Sequence, residues 1–366
     1  MSKKVGNKMY INIEKVAKLV NDKKCDAIIL FNESNMHYIC SFSPSEGVII
    51  VTKGANAYHI VDSRYTEIAQ INAQKTGVKV IEIKTSFSDT AKEIIEKENI
   101  KKLLYENETI SLLQYKTYTQ KFSGCEFVEL NHELMLLRNK KEPFEIELMK
   151  EANNIAEKSF LELLNEVKAG KTEKELASLF DYIMAKNGSE KVSFDTILLT
   201  GTHTSMPHGT PSDRKVQAGD FVLFDFGATY KGYHSDMTRT IAIDHATDEM
   251  EEAYELVLKA QLEGIKALSA GQKCADVYQK AYDVLDKKDM AKYFRHSLGH
   301  GVGLDIHEGY NASPRSKDTY EIGNVTSIEP GIYIPNKFGI RIEDLLYISP
   351  RGRENLSKIT KKLIIL

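Results

Sequence analysis

The segment Phe221-Val-Leu-Phe-Asp-Phe-Gly-Ala-Thr-Tyr-Lys-Gly-Tyr-His-Ser-Asp236 predicts a pair of strands joined by a turn. Residues 221–224 are all apolar and predict a buried strand that ends at Asp225. Tyr230-Lys-Gly232 is typical of a hairpin turn, and a second strand is predicted over residues 233–243. The hairpin brings Asp225 and Asp236 close together, where two carboxylates repel unless they share a proton or a cation. Either Asp alone also fits a turn or capping role.

Three more residues of metal-binding type occur in similar positions further along the chain. His300 lies in Gly299-His-Gly-Val-Gly303, Glu329 ends the apolar segment 325–328, and Glu343 lies within the strand predicted over 340–348. Taken singly, each has a structural explanation. Taken with the two aspartates, they form an oxygen-rich set with one nitrogen, which suits paired Mn²⁺, Co²⁺, Fe²⁺ or Zn²⁺ ions.

Composition excludes several classes of protein. The chain has 366 residues, 42% hydrophobic and 28% charged, which predicts a globular protein of about two domains. Its net charge of -3 argues against a nucleic-acid partner. The longest apolar run is only residues 27–31, so no membrane span and no membrane partner are expected. No apolar signal core follows the basic residues 1–10, and the four cysteines form no CxxC pair, so we expect a cytoplasmic protein.

The order of predicted elements indicates two domains. Residues 1–137 alternate helix-like and strand-like segments, which is typical of an α/β domain. A charged joint, Arg138-Asn-Lys-Lys-Glu-Pro143, follows, and Pro143 suits the first turn of a helix. We therefore predict a domain over residues 1–137 and a second, α+β domain over residues 138–366.

The second domain shows an internal duplication. Two helices, the second with Thr172 and Glu175 as a predicted capping box, precede the strands of the first half. Two further helices, over about 247–268 and 275–285, precede strands predicted over 302–306, 325–328, 332–334 and 340–348. Two such halves would pack their strands together and leave a cleft between them.

With these motifs in place, the chain resembles the pita-bread metallopeptidases, which include methionine aminopeptidase, aminopeptidase P and prolidase. The family's metal ligands come as Asp, Asp, His, Glu, Glu, and the contexts Asp-Phe-Gly, Ser-Asp-Met-Thr-Arg-Thr, Gly-His-Gly-Val-Gly, Ile-Glu-Pro-Gly and Arg-Ile-Glu-Asp match in that order. Asn35-Met-His-Tyr-Ile-Cys-Ser-Phe42 and Val61-Asp-Ser-Arg-Tyr65 resemble a creatinase-type N-terminal domain. The resemblance implies two divalent metal ions, Mn²⁺ first among them, on Asp225, Asp236, His300, Glu329 and Glu343.

The resemblance also implies the other site residues. Glu329 would act as general base, and His208 and His307 would bind substrate and stabilise the developing oxyanion. His296 and Tyr333 match residues near the pocket for the proline ring. Arg341 lies two residues before Glu343, hence on the same face of a strand, and would keep neighbouring carboxylates ionised. Thr238 is likewise on the face of Asp236 and would orient that carboxylate. By contrast, we interpret His203, His234 and His245 as surface or loop residues.

The resemblance implies a homodimer and a peptide substrate with proline at its second position. We favour an Xaa-Pro aminopeptidase, because Arg315 is the only arginine between His307 and Glu329 that could bind the carboxylate of a dipeptide. The alternative is an Xaa-Pro dipeptidase, a prolidase. Its cation for the carboxylate would come from the loop over residues 311–320, with Arg315 and Lys317 as candidates, or from the N-terminal domain of the partner subunit. A non-catalytic peptide-binding protein on this fold is a more remote alternative, as is a metal-free creatinase, because every ligand position is kept. Methionine aminopeptidases lack such an N-terminal domain.

Overall fold

A computed structural model describes the backbone of residues 6–366 and the side chains from residue 11 onward. Its contacts divide the chain into two compact units, one ending at Arg138 and one beginning at Asn139. Within the described residues, no helix combines the length and the apolar character needed to cross a bilayer.

The first unit is built on a six-stranded sheet of order β4-β3-β2-β1-β5-β6. Strand β1 pairs with β2 antiparallel and with β5 parallel, and every residue of β1 and β2 is buried because helices cover the sheet. Its elements are α1 (Gly6–Asp22), β1 (Ala27–Leu30), α2 (Glu33–Cys40), β2 (Val48–Thr52), β3 (Ala57–Val61), α3 (Thr66–Thr76), β4 (Lys79–Glu82), α4 (Phe87–Lys97), β5 (Lys102–Glu106), α5 (Leu112–Lys121), β6 (Glu126–Leu130) and α6 (Glu133–Asn139).

A buried carboxylate joins strand β5 to the start of α2. Glu106 accepts hydrogen bonds from the backbone N–H groups of Phe31 and Asn32, at 2.5 and 2.9 Å, and from the amide of Asn35. Burial raises the pKa of Glu106, and these donors oppose the rise. The first unit thus uses its buried acid to fix a loop and a helix end.

The second unit contains the predicted duplication as two helix pairs, each followed by strands. Its elements are α7 (Pro143–Leu163), α8 (Glu173–Lys186), β7 (Ile197–Thr200), β8 (Phe221–Phe226), β9 (Thr229–Tyr230), β10 (Tyr233–His234), β11 (Met237–Ala242), α9 (Asp248–Ala267), α10 (Cys274–Asp286), β12 (Gly299–His300), β13 (Asn311–Ala312), β14 (Val325–Ile328), β15 (Gly331–Ile334), β16 (Phe338–Arg341), β17 (Asp344–Ser349) and β18 (Gly352–Asn355).

Each helix pair packs on its own strands. Helices α7 and α8 cover the sheet β11-β8-β7, where Phe160 and Phe180 contact Phe226 at ring-centroid distances of 5.3 and 4.7 Å. Helices α9 and α10 share a second core with residues of β14, β15 and β16. Burying an aromatic side chain stabilises by about 1.5–3 kcal/mol, so these cores hold the strand ends between them firmly in place.

Local signals explain where the helices begin. Pro143 occupies the first turn of α7, with Glu142 and Glu145 as its capping box. Thr172 caps α8 and forms the predicted box with Glu175. Both boxes satisfy backbone N–H groups that a helix leaves without an internal partner.

The strand predicted over 233–243 is interrupted at residues 235–236. Two predictions that concern β10 and the loop after β12 are wrong. Residues 302–306 form a loop rather than a strand, although Val302, Leu304 and Ile306 alternate with other residues. His234 is not a surface residue: it lies in β10 with 7% relative exposure, and its N–H donates to Gly303 O. Both errors have one cause, because the loop after β12 folds back across β10 and covers it.

Candidate metal centre

The hairpin of β8 and β11 brings the two aspartates to one place. Thr238 of β11 lies opposite Asp225 of β8 in the antiparallel register, and Asp236 directly precedes β11. Asp225 Oδ2 accepts from the Arg341 guanidinium at 2.5 Å. Asp236 is 4% exposed, so the turn chemistry that its sequence also allowed is not its role.

His300 and Glu329 reach the same point from the second half of the unit. His300 Nε2 lies 3.4 Å from Asp236 Oδ2 and 3.4 Å from Glu329 Oε1. The other ring nitrogen, Nδ1, lies 3.1 Å from Gly301 O, which leaves Nε2 directed at the carboxylates. Ser327 Oγ donates to Glu329 Oε1 at 3.1 Å and fixes that carboxylate.

Glu343 completes the cluster from the break between β16 and β17, directly before Asp344. The strand predicted over 340–348 is therefore wrong at this point, because the chain leaves the extended pairing at residues 342–343. The Glu343 N–H donates to Thr238 O, and Thr238 Oγ1 donates to Glu343 Oε2 at 2.8 Å. One ligand atom each from Asp236, His300 and Glu343 lies within 4.8 Å of the others, close enough for one ion. The predicted role of Thr238 as an orienting hydroxyl therefore applies to Glu343, which it contacts directly.

The chemistry of these donors fits divalent cations. Asp225 Oδ1 and Glu343 Oε1 are buried and have no hydrogen-bond partner within the described part of the chain. A buried carboxylate oxygen without a partner costs free energy, and a cation would offset that cost. Four carboxylates and one imidazole also match the ligand preference of Mn²⁺ and similar ions.

The carboxylates repel one another in the metal-free state. Burial, together with Asp225, raises the pKa of Asp236 to about 7, although His300 opposes the rise. Burial and the charges of Asp236 and Glu329 raise the pKa of Glu343 well above its ordinary value. Burial lowers the pKa of His300, but Asp236 and Glu329 outweigh it and raise that pKa to about 9. Protons thus partly replace the missing positive charge.

Arg341 links the carboxylates to the wall of the cavity. Its guanidinium donates to Asp225, to Thr238 Oγ1 at 3.0 Å and to the Tyr333 hydroxyl at 2.6 Å. That hydroxyl also lies 3.0 Å from His296 Nε2. Burial raises the pKa of Tyr333 to about 12, so the hydroxyl stays protonated. Arg341, Tyr333 and His296 form one continuous polar wall.

A cavity of about 470 Å³ lies over the cluster. His307 stands at its edge with its ring centroid 4.1 Å from that of His300, and burial followed by the charge of His300 lowers the pKa of His307. His208 lines the same cavity. Of the predicted site residues, Tyr333 does not line the cavity, and its hydroxyl contacts the lining residues Arg341 and His296. The predicted residues that line the cavity are His208, Asp225, Asp236, His296, His300, His307, Glu329, Arg341 and Glu343.

The cations proposed for a dipeptide carboxylate lie elsewhere. Arg315 and Lys317 are exposed and do not line the cavity, because their loop turns away after β13. Asn311, the first residue of the loop over 311–320, does line it, although sequence reasoning proposed no role for its side chain. Arg295, which was also missed, lines an adjoining cavity of about 440 Å³ beside His203 and Tyr333. Arg295 directly precedes His296, which the sequence analysis placed near the proline pocket, and this proximity was the signal that could have identified it.

Sequence reasoning also missed the support behind Glu343. Arg239 is 1% exposed and donates to the backbone carbonyls of Thr238 and Glu343 and to Asp344 Oδ1. An arginine within the strand predicted over 233–243 was the signal, because a guanidinium that a strand buries needs a partner.

A duplicated α+β unit whose central cavity gathers four carboxylates and an imidazole defines a metal-dependent enzyme. The matches with known proteins give its family: residues 147–350 match metallopeptidase family M24, and residues 12–140 match the Creatinase/Prolidase N-terminal domain. The chain belongs to metallopeptidase family M24, with the creatinase-type domain before it, as the sequence predicts.

Individual relatives match over their whole length. An Xaa-Pro dipeptidase of Pyrococcus furiosus is 34% identical, over 97% of this chain and 100% of the relative. The structure of an Xaa-Pro dipeptidase from Bacillus anthracis is 35% identical with a TM-score of 0.92, over 98% of this chain and 100% of the other. An X-Pro aminopeptidase from Thermotoga maritima is also 35% identical, with a TM-score of 0.91, over 96% and 100% of the two chains.

Proposed function

We propose that this protein is a metal-dependent Xaa-Pro dipeptidase, which hydrolyses the bond between an N-terminal residue and a C-terminal proline. The observation that carries the proposal is the cluster of buried acids, two of them with an unpartnered oxygen, at the floor of a cavity edged by three histidines. Full-length relatives named Xaa-Pro dipeptidase support this reading better than the aminopeptidase that the sequence favoured.

Asp225, Asp236, His300, Glu329 and Glu343 would hold two divalent cations, with Mn²⁺ as the first candidate and Co²⁺, Zn²⁺ and Fe²⁺ as alternatives. Such cations supply Lewis acidity toward a peptide carbonyl and lower the pKa of water toward neutrality. The metal-binding family supports divalent cations as such; their number and identity are part of this proposal.

Glu329 is the general base of the proposed reaction. Its carboxylate lies in the cluster beside His300, and Ser327 holds one of its oxygens. A carboxylate in this position accepts a proton from the attacking water and later delivers it toward the proline nitrogen. That nitrogen carries no hydrogen in the peptide, so it must receive one when the bond breaks.

His208 and His307 act at the mouth of the cavity. Their imidazoles donate hydrogen bonds to the oxyanion that develops on the scissile carbonyl, and such donors are worth about 10²–10³ in kcat. Because His307 has a lowered pKa, it is neutral near pH 7 and one ring nitrogen can donate while the other accepts.

His296, supported by the hydroxyl of Tyr333, forms the wall of the proline subsite. Burial lowers the pKa of His296, so its ring is neutral and presents an apolar face beside Tyr333, at a centroid distance of 5.5 Å. An aromatic wall that is held in place by a second ring favours a compact, rigid side chain, which agrees with proline.

The Xaa-Pro aminopeptidase remains the second candidate, and one observation favours it. Among the described residues that line the cavity, Arg341 is the only lysine or arginine, and it already binds Asp225 and Tyr333. A dipeptide carboxylate would therefore bind to neutral donors such as Asn311, or to Arg295 of the adjoining cavity.

The experiment is kcat/KM for Ala-Pro, Ala-Pro-amide and Ala-Pro-Ala, each with Mn²⁺ and with Co²⁺. A dipeptidase cleaves Ala-Pro best and loses most of its turnover when the carboxylate is amidated. Equal or faster cleavage of Ala-Pro-Ala would assign the protein to the aminopeptidases instead. Cleavage of Ala-Ala at the rate of Ala-Pro would contradict the proline subsite.

Arg295→Met tests where the carboxylate binds. If Arg295 holds it, KM for Ala-Pro rises about tenfold while kcat changes little, because a uniformly bound group is lost. Arg315→Met is the matched control, since Arg315 is an exposed arginine outside both cavities.

A homodimer and a cytoplasmic location complete the proposal. Both rest on the resemblance and on composition. Sedimentation velocity on the purified protein measures the first, and fractionation of the source cells measures the second.

A further inference from the structure

The loop between β12 and β13 carries two neighbouring side chains that point in opposite directions. His307 projects into the cavity beside His300, whereas Glu308 is buried, with 1% of its side chain exposed. The base of the loop is closed by hydrogen bonds from Gly301 N to Tyr310 O and from Glu308 N to Gly301 O. The position of the His307 ring therefore depends on how its neighbour is fixed.

The Glu308 carboxylate is the centre around which the loop folds. It accepts a hydrogen bond from the Asp305 N–H at 3.3 Å. It also occupies the space that a Cβ atom at position 303 would need, so only glycine fits there while Glu308 keeps this position. It also forms an ion pair with Lys141 Nζ at 2.5 Å, in which the lysine side chain is 1% exposed as well. Both charges are thus removed from water and depend on one another.

Lys141 is itself held in place by the backbone around it. Its N–H donates to Gly323 O at 2.9 Å, and Asn139 O accepts from the Asn324 amide at 3.0 Å. Asn139 also packs against Gly309, which adopts a φ of +75°. The charged joint that the sequence analysis singled out is therefore a fixed support beneath the loop.

We propose that the buried ion pair of Lys141 and Glu308 positions His307 for catalysis. The pair touches neither substrate nor metal; it acts through the backbone of one neighbouring residue. This inference rests on the proposed role of His307 as an oxyanion donor. A displacement of about 1 Å in such a group can lower the rate by about 10²-fold. A contact that fixes the backbone next to His307 therefore affects kcat.

A double-mutant cycle separates positioning from general support. A positioning pair matters only while His307 is present, so its loss must not lower kcat further once that ring is gone. A pair that merely supports the fold lowers activity by the same factor in either background. The variants are Lys141→Met, His307→Ala and the double variant, assayed with Ala-Pro, with metal content and thermal midpoint measured for each.

We expect Lys141→Met to lower kcat about tenfold or more, with KM changed less than threefold and metal content unchanged. In the His307→Ala background the same change should alter kcat less than twofold. Lys140→Met is the matched control, since the neighbouring Lys140 pairs with Glu321 at the surface, both about half exposed, and its loss should leave kcat unchanged.

The other possible outcomes of this cycle contradict either the positioning role of the ion pair or the role of His307. An equal loss of kcat in both backgrounds, or no loss in the wild type, overturns the positioning role while the proposed function stands. If His307→Ala itself leaves kcat unchanged, the proposed role of His307 fails and the positioning inference fails with it. Should Lys141→Met not fold, Lys141→Arg keeps the charge, changes the reach and enters the same cycle.

Discussion

Glu343 and Asp344 are consecutive residues with buried carboxylates, and their surroundings are opposite. Asp344 accepts hydrogen bonds on both oxygens, from Arg239, Gln261, Asn355 and Lys361, at 2.7–3.1 Å. Glu343 accepts one, from Thr238, and its second oxygen has no partner among the described residues. Burial tends to raise both pKa values; Arg239 and Lys361 reverse that for Asp344, whereas neighbouring acids add to it for Glu343.

The difference distinguishes a structural acid from a candidate metal ligand. The buried Arg239 and the partly buried Lys361 already balance the charge of Asp344, so this acid holds backbone and side chains together. Glu343 faces other carboxylates, and only a proton or an added cation can balance it. Glu106 of the first unit resembles Asp344 only in that both of its oxygens accept hydrogen bonds, since burial raises the pKa of Glu106.

The largest expected effect is that of Glu343→Gln. This change removes a ligating anion and keeps the shape, so we expect loss of most bound metal and most activity. Metal content by elemental analysis and turnover of Ala-Pro measure both. Asp225→Asn should do the same, and full metal occupancy in either variant would exclude these residues as ligands.

Asp344→Asn should have its effect on stability instead. It leaves the Arg239 guanidinium buried without a counter-charge, which costs about 3–5 kcal/mol of unfolding free energy. Urea denaturation of the metal-free protein measures this. Glu343→Gln in the metal-free protein is the control, because a buried carboxyl that is already protonated loses little free energy on becoming an amide. If both variants lower the unfolding free energy equally, the distinction between Asp344 and Glu343 is wrong.

The two kinds of acid also predict opposite pH dependences in the metal-free protein. Asp236 has a folded pKa of about 7, above its unfolded value, so its contribution is favourable at low pH and is lost as pH rises through that value. His300, with a folded pKa of about 9, changes in the same sense at higher pH. Asp344, whose pKa is lowered, loses its contribution only as pH falls through its folded pKa, below the ordinary Asp range.

We therefore expect the unfolding free energy of the metal-free protein to decrease by about 1–3 kcal/mol between pH 5 and pH 8. Added Mn²⁺ should stabilise more at pH 8 than at pH 5, because it replaces the protons. Denaturation curves at both pH values, with and without metal, test this. Asp236→Asn should flatten the metal-free dependence, and a stability that increases with pH in this range would contradict the assignment.

The smallest expected effect is that of Thr238→Val. It removes the hydroxyl that donates to Glu343 and accepts from Arg341 while keeping the shape. Metal affinity should fall about tenfold, as is typical when a partner of a ligand is lost. Isothermal titration with Mn²⁺ measures it. Thr240→Val is the matched control: Thr240 lies on the same strand, and its hydroxyl binds Arg341 backbone instead.

How much of this the sequence could predict depends on whether the signal is local. The acids of the cluster each end or interrupt an apolar strand, and that pattern is visible within a few residues. The strand predicted over 302–306 failed although its alternation is real, because the chain there folds around Glu308. The cation that permits this fold, Lys141, lies 167 residues earlier, and no local pattern shows such a pairing.

The partner of Asp344 was out of reach for the same reason, since Arg239 lies 105 residues away. The choice between dipeptidase and aminopeptidase was also beyond the sequence. Counting arginines along the chain pointed to Arg315, whereas the residues that line the cavities include Asn311 and Arg295. Substrate length depends on groups that converge in space, and spacing along the chain does not report them.

The two family matches leave residues 141–146 between them, and this short segment has a practical consequence for anyone who shortens the chain. It contains Lys141, which pairs with Glu308, and Glu145, which accepts from the Tyr233 hydroxyl at 2.6 Å. A fragment that starts at residue 147 would keep every candidate ligand but lose the contacts of Lys141 with Glu308 and of Glu145 with Tyr233. A truncated catalytic domain of this protein should therefore be cut before Asn139, where the second unit begins.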